Sequence, residues 1–133
     1  MQTFLPYPDF RTSLDCLDNR RLGKQRVEAM QLVRAIENKS GWSNHPAAKM
    51  WQNYVSALKL YHDIAIRTWI ERGFRNSMKE YNEEVDEFPW WIGNEDFHSS
   101  HRSNLLRKDP VHYGRFNWRE PPDLPYVWPQ PTV

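Results

Sequence analysis

The segment that most constrains the fold is residues 17–37, which predicts one amphipathic helix. Its apolar side chains recur at intervals of three and four residues, the spacing that places them on one side of a helix. These residues are Leu22, Ala29, Met30, Leu32, Val33 and Ile36. Such a stripe must be buried against other elements, so we expect the core to be assembled around this helix.

The opposite side of the same helix carries an unusual charge pattern. Arg21, Lys24 and Glu28 follow at i, i+3 and i+7 and therefore share a face, with Arg20 and Arg26 flanking it. One carboxylate among cations is common where an enzyme handles a phosphate-bearing substrate. The alternative is an ordinary surface pair between Lys24 and Glu28, although Lys before Glu is the weaker orientation for such a pair.

Composition limits the possible classes of protein. A chain of 133 residues predicts one domain over residues 1–133, and a net charge of +1 argues against a general polyanion binder. The single cysteine, Cys16, excludes an internal disulfide and favours a reducing, cytoplasmic location. The N-terminus lacks the pattern of a signal peptide, and no apolar run is long enough to span a membrane.

The rest of the chain predicts two further helices. Residues 46–72 show the clearest helical periodicity, ending before Gly73, and residues 97–107 form a shorter helix that begins after an Asp96 cap. Residues 1–9 are expected to be extended and packed into the body of the protein. The predicted fold is all-α: a compact three-helix single domain with long irregular connections and an extended C-terminal coil.

The third predicted helix offers a second polar face. His101, Asn104 and Lys108 follow at i, i+3 and i+7, and Leu105 lies on the expected core side. Two basic helical faces in one small domain favour a shared anionic ligand. His98 and His101 alone are too few for a metal site, so neither a metal nor another cofactor is expected.

Cys16 is not expected to be a nucleophile, because nothing near it in the sequence would lower its pKa. Seven tryptophans are more than a small core usually needs, which favours some exposed aromatic side chains that stack on a ligand. For the adjacent pair Trp90 and Trp91, filling of the core is the default interpretation.

Three blocks of sequence resemble the phage-type pyrimidine dimer DNA glycosylases, the endonuclease V-like family. The blocks are LDNRRLGKQRVEAMQL, WIERGF and HSSHRSNLLRKDPVHY, in the family's order. The resemblance implies a compact three-helix domain whose N-terminal segment passes between helices. It also implies DNA repair: an N-terminal α-amine attacks C1′ of the damaged nucleotide, displaces the base and forms an imine, and β-elimination then cuts the strand.

By this resemblance Glu28 is the catalytic glutamate. Arg20 and Arg21 fall where the family contacts DNA, and Lys108 matches a basic residue on the third helix. The predicted phosphate-binding set also includes Lys24, Arg26, His101 and Asn104. The bulk of Gln2 should prevent removal of Met1, so the nucleophilic amine would belong to Met1, or processing would have to expose Thr3. An α-amine suits this role because its pKa is lower than that of lysine.

Two other functions are compatible with the sequence. The same fold could act on a free nucleotide, nucleoside or other small phosphate ligand, which the near-zero net charge favours. Alternatively, the chain could be a non-enzymatic nucleic-acid-binding or protein-binding module. The expected partner is duplex DNA with a damaged base or a nucleotide-like ligand, with no membrane partner, and the protein is expected to be a monomer.

Overall fold

The computed structural model describes residues 1–132 and contains helices and coil but no strand in that range. The six α-helices are α1 (Phe10–Asp15), α2 (Asn19–Asn38), α3 (Pro46–Trp51), α4 (Val55–Glu71), α5 (Glu95–Lys108) and α6 (Pro110–Tyr113). Short 3₁₀ turns occupy Gly41–Asn44 and Gly114–Phe116. The all-α prediction is therefore confirmed, and α2, α4 and α5 are the three long helices that the sequence predicts.

Two predicted helices are shorter than expected. The first begins at Asn19, because the Asp18 carboxylate accepts a hydrogen bond from the Arg21 N–H and caps α2. The second is divided into α3 and α4 by a break at Tyr54, whose φ of −136° and ψ of 40° are not helical. His45 caps α3, with Pro46 in its first turn.

The other predicted boundaries hold closely. α4 ends at Glu71, and Gly73 follows with a φ of +93°, a left-handed conformation that glycine adopts without strain. α5 begins two residues earlier than predicted, because Asn94 rather than Asp96 provides the cap. No helix within residues 1–132 is long and apolar enough to cross a membrane.

The core is built where α2 crosses α4. Gly23 lies at this crossing, and a Cβ atom there would approach the Trp69 ring to 3.0 Å, so a larger residue would require the ring or the helices to shift. Trp51 and Trp91 are fully buried and in edge contact, with ring centroids 4.9 Å apart. Trp91 therefore fills the core as expected, whereas the neighbouring Trp90 is exposed.

The N-terminal segment is packed into this core, as predicted, with Gln2, Thr3, Phe4 and Leu5 buried. Side chains supply the hydrogen bonds that a sheet would otherwise give its backbone. The Leu5 N–H donates to His101 Nδ1 at 2.9 Å, and the Leu5 carbonyl accepts from His98 Nδ1 at 2.8 Å. On the other side, the Phe4 N–H donates to Gln25 Oε1 at 2.9 Å, and its carbonyl accepts from the Tyr61 hydroxyl at 2.8 Å. These bonds fix the start of the chain against α2, α4 and α5.

The predicted polar surface on α5 is wrong for two of its residues. His101 and Asn104 are completely buried. His101 is turned towards the N-terminal segment, while Asn104 Nδ2 donates to the Leu124 carbonyl at 3.0 Å. These polar side chains of α5 form hydrogen bonds with the backbone of the coil segments on either side of the helix. Helical spacing alone does not distinguish a side chain buried in this way from one exposed to solvent.

Candidate active site

A cavity of about 480 Å³ opens between the N-terminal segment, the first half of α2 and the C-terminal coil. It combines charged, polar and aromatic side chains drawn from distant parts of the sequence. The lining residues are Met1, Gln2, Phe4, Arg20, Arg21, Lys24, Gln25, Glu28, His45, Lys108, Tyr126 and Trp128. Most of the predicted site residues therefore meet in one place.

Glu28 lies beside the start of the chain. Its Oε2 accepts hydrogen bonds from the Gln2 N–H at 3.3 Å and from Gln25 Nε2 at 3.4 Å. Within residues 1–132 the Glu28 carboxylate forms no ion pair with Lys24. The structure therefore does not contain the ordinary surface pair that was the alternative interpretation. The carboxylate faces the residue that follows Met1, inside the cavity.

The main chain next to Met1 is held firmly. Gln2 is buried; its carbonyl accepts from Gln25 Nε2 at 3.0 Å, and its own Oε1 accepts from the Thr3 N–H at 2.9 Å. Thr3 Oγ1 accepts from the indole N–H of Trp51 at 3.0 Å. Met1 itself is only partly buried. The chain is thus fixed from its second residue onward, while the terminal residue remains open to the cavity.

One end of the cavity is strongly cationic. Arg20, Arg21 and Lys24 come from the first turns of α2, and Lys108 is the last residue of α5. Arg21 is paired with Asp18 at 3.1 Å, but the other three have no ion-pair partner in the described part of the chain. Burial and the nearby charges of Arg21 and Arg107 lower the pKa of Lys108. This concentration of positive charge suits an anionic ligand.

Aromatic side chains also line the cavity. The His45 ring packs edge-on against Trp42 at 5.6 Å and against Trp128 at 6.0 Å between ring centroids. Tyr126 lies next to Trp128 at 5.6 Å, and burial raises the pKa of Tyr126 to about 12, so its hydroxyl is protonated. Flat apolar rings of this kind can pack against a nucleobase.

Three of the predicted residues do not reach the cavity. Arg26 turns to the other side of α2, where its guanidinium lies 4.6 Å from the centre of the Trp69 ring and donates to Asn76 Oδ1 at 2.6 Å. His101 and Asn104 are in the interior, as described above. None of the three is included in the proposed site.

The structure also bears on the chemistry that the sequence disfavoured. Cys16 is buried, and this burial raises the pKa of its thiol to about 12, so it is a poor nucleophile. Among residues 1–132, no group of three or more His, Cys, Asp or Glu side chains is arranged to hold a metal ion.

Besides Gln2 and Phe4 of the N-terminal segment, four lining residues were not predicted: Gln25, His45, Tyr126 and Trp128. Gln25 had a weak signal, because it is a polar residue next to the apolar stripe of α2. His45 is recognisable from sequence only as a residue at a helix entry. The two aromatic residues lie in a coil without periodicity, and only the folded chain brings them to α2.

The model of the family described as pyrimidine dimer DNA glycosylase matches residues 1–82 of this chain. This chain therefore belongs to the pyrimidine dimer DNA glycosylase family. No curated protein and no solved structure matches it. The matched region contains Met1, the cationic turns of α2, Glu28 and His45, whereas Lys108, Tyr126 and Trp128 lie beyond it.

Proposed function

We propose that this protein is a DNA N-glycosylase and AP lyase that acts on pyrimidine dimers or on another damaged or modified base. One observation carries the proposal: the Glu28 carboxylate accepts the N–H of Gln2 inside a cavity with a cationic end. An acid, the start of the chain and a phosphate-binding surface thereby share one site, which is the combination that the chemistry needs. Family membership supports the same class of reaction.

In the proposed reaction the unprotonated α-amine of Met1 attacks C1′ of the damaged nucleotide. A bond from nitrogen to C1′ forms and the bond from C1′ to the base breaks. The displaced base takes the electron pair and a proton; in a dimer it stays joined to the neighbouring pyrimidine. Opening of the sugar ring gives the imine. Loss of a proton from C2′ then expels the 3′ phosphate by β-elimination. Glu28 can accept the proton from the attacking amine and stabilise the cationic sugar.

The cationic end would hold the DNA backbone. Arg20, Lys24 and Lys108 have no carboxylate partner in residues 1–132, so phosphate oxygens can take that place. A base inside the cavity would have to be turned out of the duplex, at a cost of a few kcal/mol that these phosphate contacts offset. Binding should therefore weaken steeply as salt is added.

Replacement of Glu28 by glutamine tests the role of the acid. The amide of the Glu28→Gln variant keeps an oxygen that can accept from the Gln2 N–H, so the fold is expected to remain intact, but it cannot take up a proton. We expect cleavage of a duplex with a cyclobutane pyrimidine dimer, and of one with an abasic site, to fall about 100-fold or more. Glu37→Gln is the matched control, because Glu37 lies on α2 but pairs with Lys59 outside the cavity.

Borohydride trapping and mass spectrometry test the nucleophile. The wild-type protein should form a covalent adduct with the abasic duplex, and the modified peptide should begin at Met1. The intact mass of the untreated protein should include Met1. If the wild-type protein cleaves neither duplex and forms no adduct, the proposed function is refuted; full activity of Glu28→Gln would refute the role of the acid alone.

The second candidate is an enzyme for a free nucleotide, nucleoside or other small phosphate ligand. The net charge of +1 favours it, because an enzyme that binds duplex DNA is usually basic. Thermal-shift measurements at rising salt separate the two. Stabilisation by a mononucleotide that changes little with salt would favour this candidate, and steeply salt-dependent stabilisation by duplex DNA would favour the glycosylase. If the protein is only a binding module, Glu28→Gln should leave its function intact.

A further inference from the structure

We propose that Gln25 is a positioning residue for the reaction. Its side-chain amide holds the Glu28 carboxylate by one oxygen and so keeps the other oxygen free to act on the amine of Met1. This inference rests on the proposed function and adds to it the group that sets the acid in place. Gln25 lies on α2 one turn before Glu28, lines the cavity and is only 1% exposed.

The amide of Gln25 uses its full capacity for hydrogen bonds. Its Oε1 accepts from the Phe4 N–H at 2.9 Å and from the Tyr61 hydroxyl at 2.6 Å. Its Nε2 donates to the Gln2 carbonyl at 3.0 Å and to Glu28 Oε2 at 3.4 Å. A glutamine amide has two N–H groups and two acceptor lone pairs, so each of them has a partner.

These partners allow only one orientation of the amide. The Phe4 N–H can only donate, and the Gln2 carbonyl can only accept. An amide turned over would place its NH₂ group against a donor and its oxygen against an acceptor. Since buried polar groups without partners are costly, the Nε2 of Gln25 is held on the Glu28 side.

The two oxygens of Glu28 are used differently. Both hydrogen bonds of the carboxylate reach Oε2, one from Gln25 Nε2 at 3.4 Å and one from the Gln2 N–H at 3.3 Å. Within residues 1–132, Oε1 has no hydrogen-bond partner, and it is not among the enclosed polar atoms that lack one. Oε2 is therefore the anchored oxygen, and Oε1 has lone pairs available for the proton of the attacking amine.

The same bonds join the acid to the start of the chain. The peptide groups of Gln2 are bonded on both sides, the N–H to Glu28 and the carbonyl to Gln25, and the two side chains are bonded to each other. Glu28 and the residue next to Met1 thus form one closed set of hydrogen bonds. A fixed geometry between an acid and a nucleophile contributes a large part of the rate of such reactions.

The acid depends on Gln25 more than the start of the chain does. Thr3 is also bonded to Trp51, and Leu5 to α5, so the N-terminal segment keeps other anchors without the Gln25 amide. In the described part of the chain, Glu28 keeps only one other hydrogen bond. Loss of the amide should therefore slow the chemical step and leave the affinity for DNA unchanged, since Gln25 carries no charge for phosphate.

Two substitutions and a double-mutant cycle test this role. Gln25→Met removes the amide from a side chain of similar length. Thr3→Val is the matched control, because it removes a buried anchor of the same segment that does not contact Glu28. Gln25→Met is also made in the Glu28→Gln protein, because a residue that acts through the acid has little left to contribute once the acid is gone.

Each protein is measured in single-turnover strand cleavage of an abasic duplex at saturating protein, in affinity for that duplex and in thermal unfolding. We expect Gln25→Met to lower the cleavage rate about 10- to 100-fold with a dissociation constant within about threefold of wild type. In the Glu28→Gln protein the same change should lower the rate by less than about threefold, and Thr3→Val should also stay within about threefold of wild type.

A cleavage rate of Gln25→Met within threefold of wild type would overturn the inference. So would equal losses with and without the acid, or a loss by Thr3→Val as large as that by Gln25→Met, because both are expected of a purely structural anchor. These results leave the proposed function standing, whereas a wild-type protein inactive on the duplex would refute both.

If Gln25→Met does not fold, Gln25→Glu decides by the same comparison. Its carboxylate still accepts from Phe4 and Tyr61 but has no N–H for Glu28. A rate loss that is confined to the protein with the acid supports the inference, and an equal loss in the Glu28→Gln protein, or no loss, overturns it.

Discussion

The buried His101 should make the stability of this protein depend on pH in a way that a single substitution removes. His101 is completely buried, and its Nδ1 accepts the Leu5 N–H. Burial lowers the pKa of this histidine to about 3, and the neighbouring His98 contributes to the same effect. The imidazole therefore stays neutral in the folded protein at pH values where the unfolded chain would protonate it.

The size of the effect follows from the two pKa values. The folded value is about 3 and the ordinary value is 6.5, so between them the unfolded state binds one more proton than the folded state. The contribution of His101 to the unfolding free energy is complete above its ordinary pKa. It is lost as the pH falls towards the pKa that His101 has in the folded protein. The slope approaches about 1.4 kcal/mol per pH unit, so the loss from about pH 7.5 to about pH 5 is roughly 2 kcal/mol.

The assay is urea unfolding at a series of pH values, for the wild-type protein and for His101→Gln. Glutamine can still accept the Leu5 N–H but does not titrate. We expect the difference in unfolding free energy between the two proteins to shrink by roughly 2 kcal/mol as the pH falls from about 7.5 to about 5. Taking the difference removes the contributions of carboxylates that titrate in both proteins.

A pH-independent difference would contradict this reasoning. So would an NMR titration of the folded wild-type protein in which the His101 ring protonates near pH 6.5, its ordinary value. The NMR measurement needs no variant, so it decides the question even if His101→Gln does not fold.

Two further substitutions test the packing around α4. Gly23→Ala should lower the unfolding free energy by about 1–2 kcal/mol in chemical denaturation. The contact of the new methyl group with the Trp69 ring at 3.0 Å outweighs the better helix propensity of alanine. A rise in stability would refute the tight crossing. Asp63→Asn should lower the unfolding free energy by about 2 kcal/mol and speed proteolysis of residues 74–94. The reason is that the buried carboxylate accepts hydrogen bonds from the N–H groups of Tyr81 and Asn82 at 2.9 and 2.8 Å. Unchanged proteolysis would show that these bonds do not hold the segment.

Helical periodicity was sufficient to predict the long helices and one side of the site. The stripe and the charged row of α2 are both local patterns, and they place Glu28, Arg20 and Lys24 together without any knowledge of the rest of the chain. The division between α3 and α4 was missed because Tyr54 and its neighbours continue the apolar spacing, although the backbone at Tyr54 is not helical. Spacing reports which side chains could share a face, and not whether the hydrogen bonds of the helix continue.

The error on α5 has a different physical cause. A polar residue on a helix is normally taken to face solvent, because a buried polar group must find partners. Here the partners are supplied by extended backbone: Leu5 for His101 and Leu124 for Asn104. Tyr126 and Trp128 could not be assigned to the site for the same reason, since their positions depend on how the C-terminal coil is bonded to α5. Contacts between residues this far apart in the sequence produce no periodic pattern of side chains.

The dependence of the first residues on α5 has a consequence for synthesis of the protein. Leu5 makes its hydrogen bonds with His98 and His101, which lie 93 and 96 residues further along the chain. While a ribosome is still adding α5, these backbone groups of Leu5 have no partner, and the opening segment can be held only by its bonds to α2, α3 and α4. The end of the polypeptide that leaves the ribosome first is thus among the last parts to reach its final position, and a nascent chain cannot carry a finished cavity until α5 has emerged.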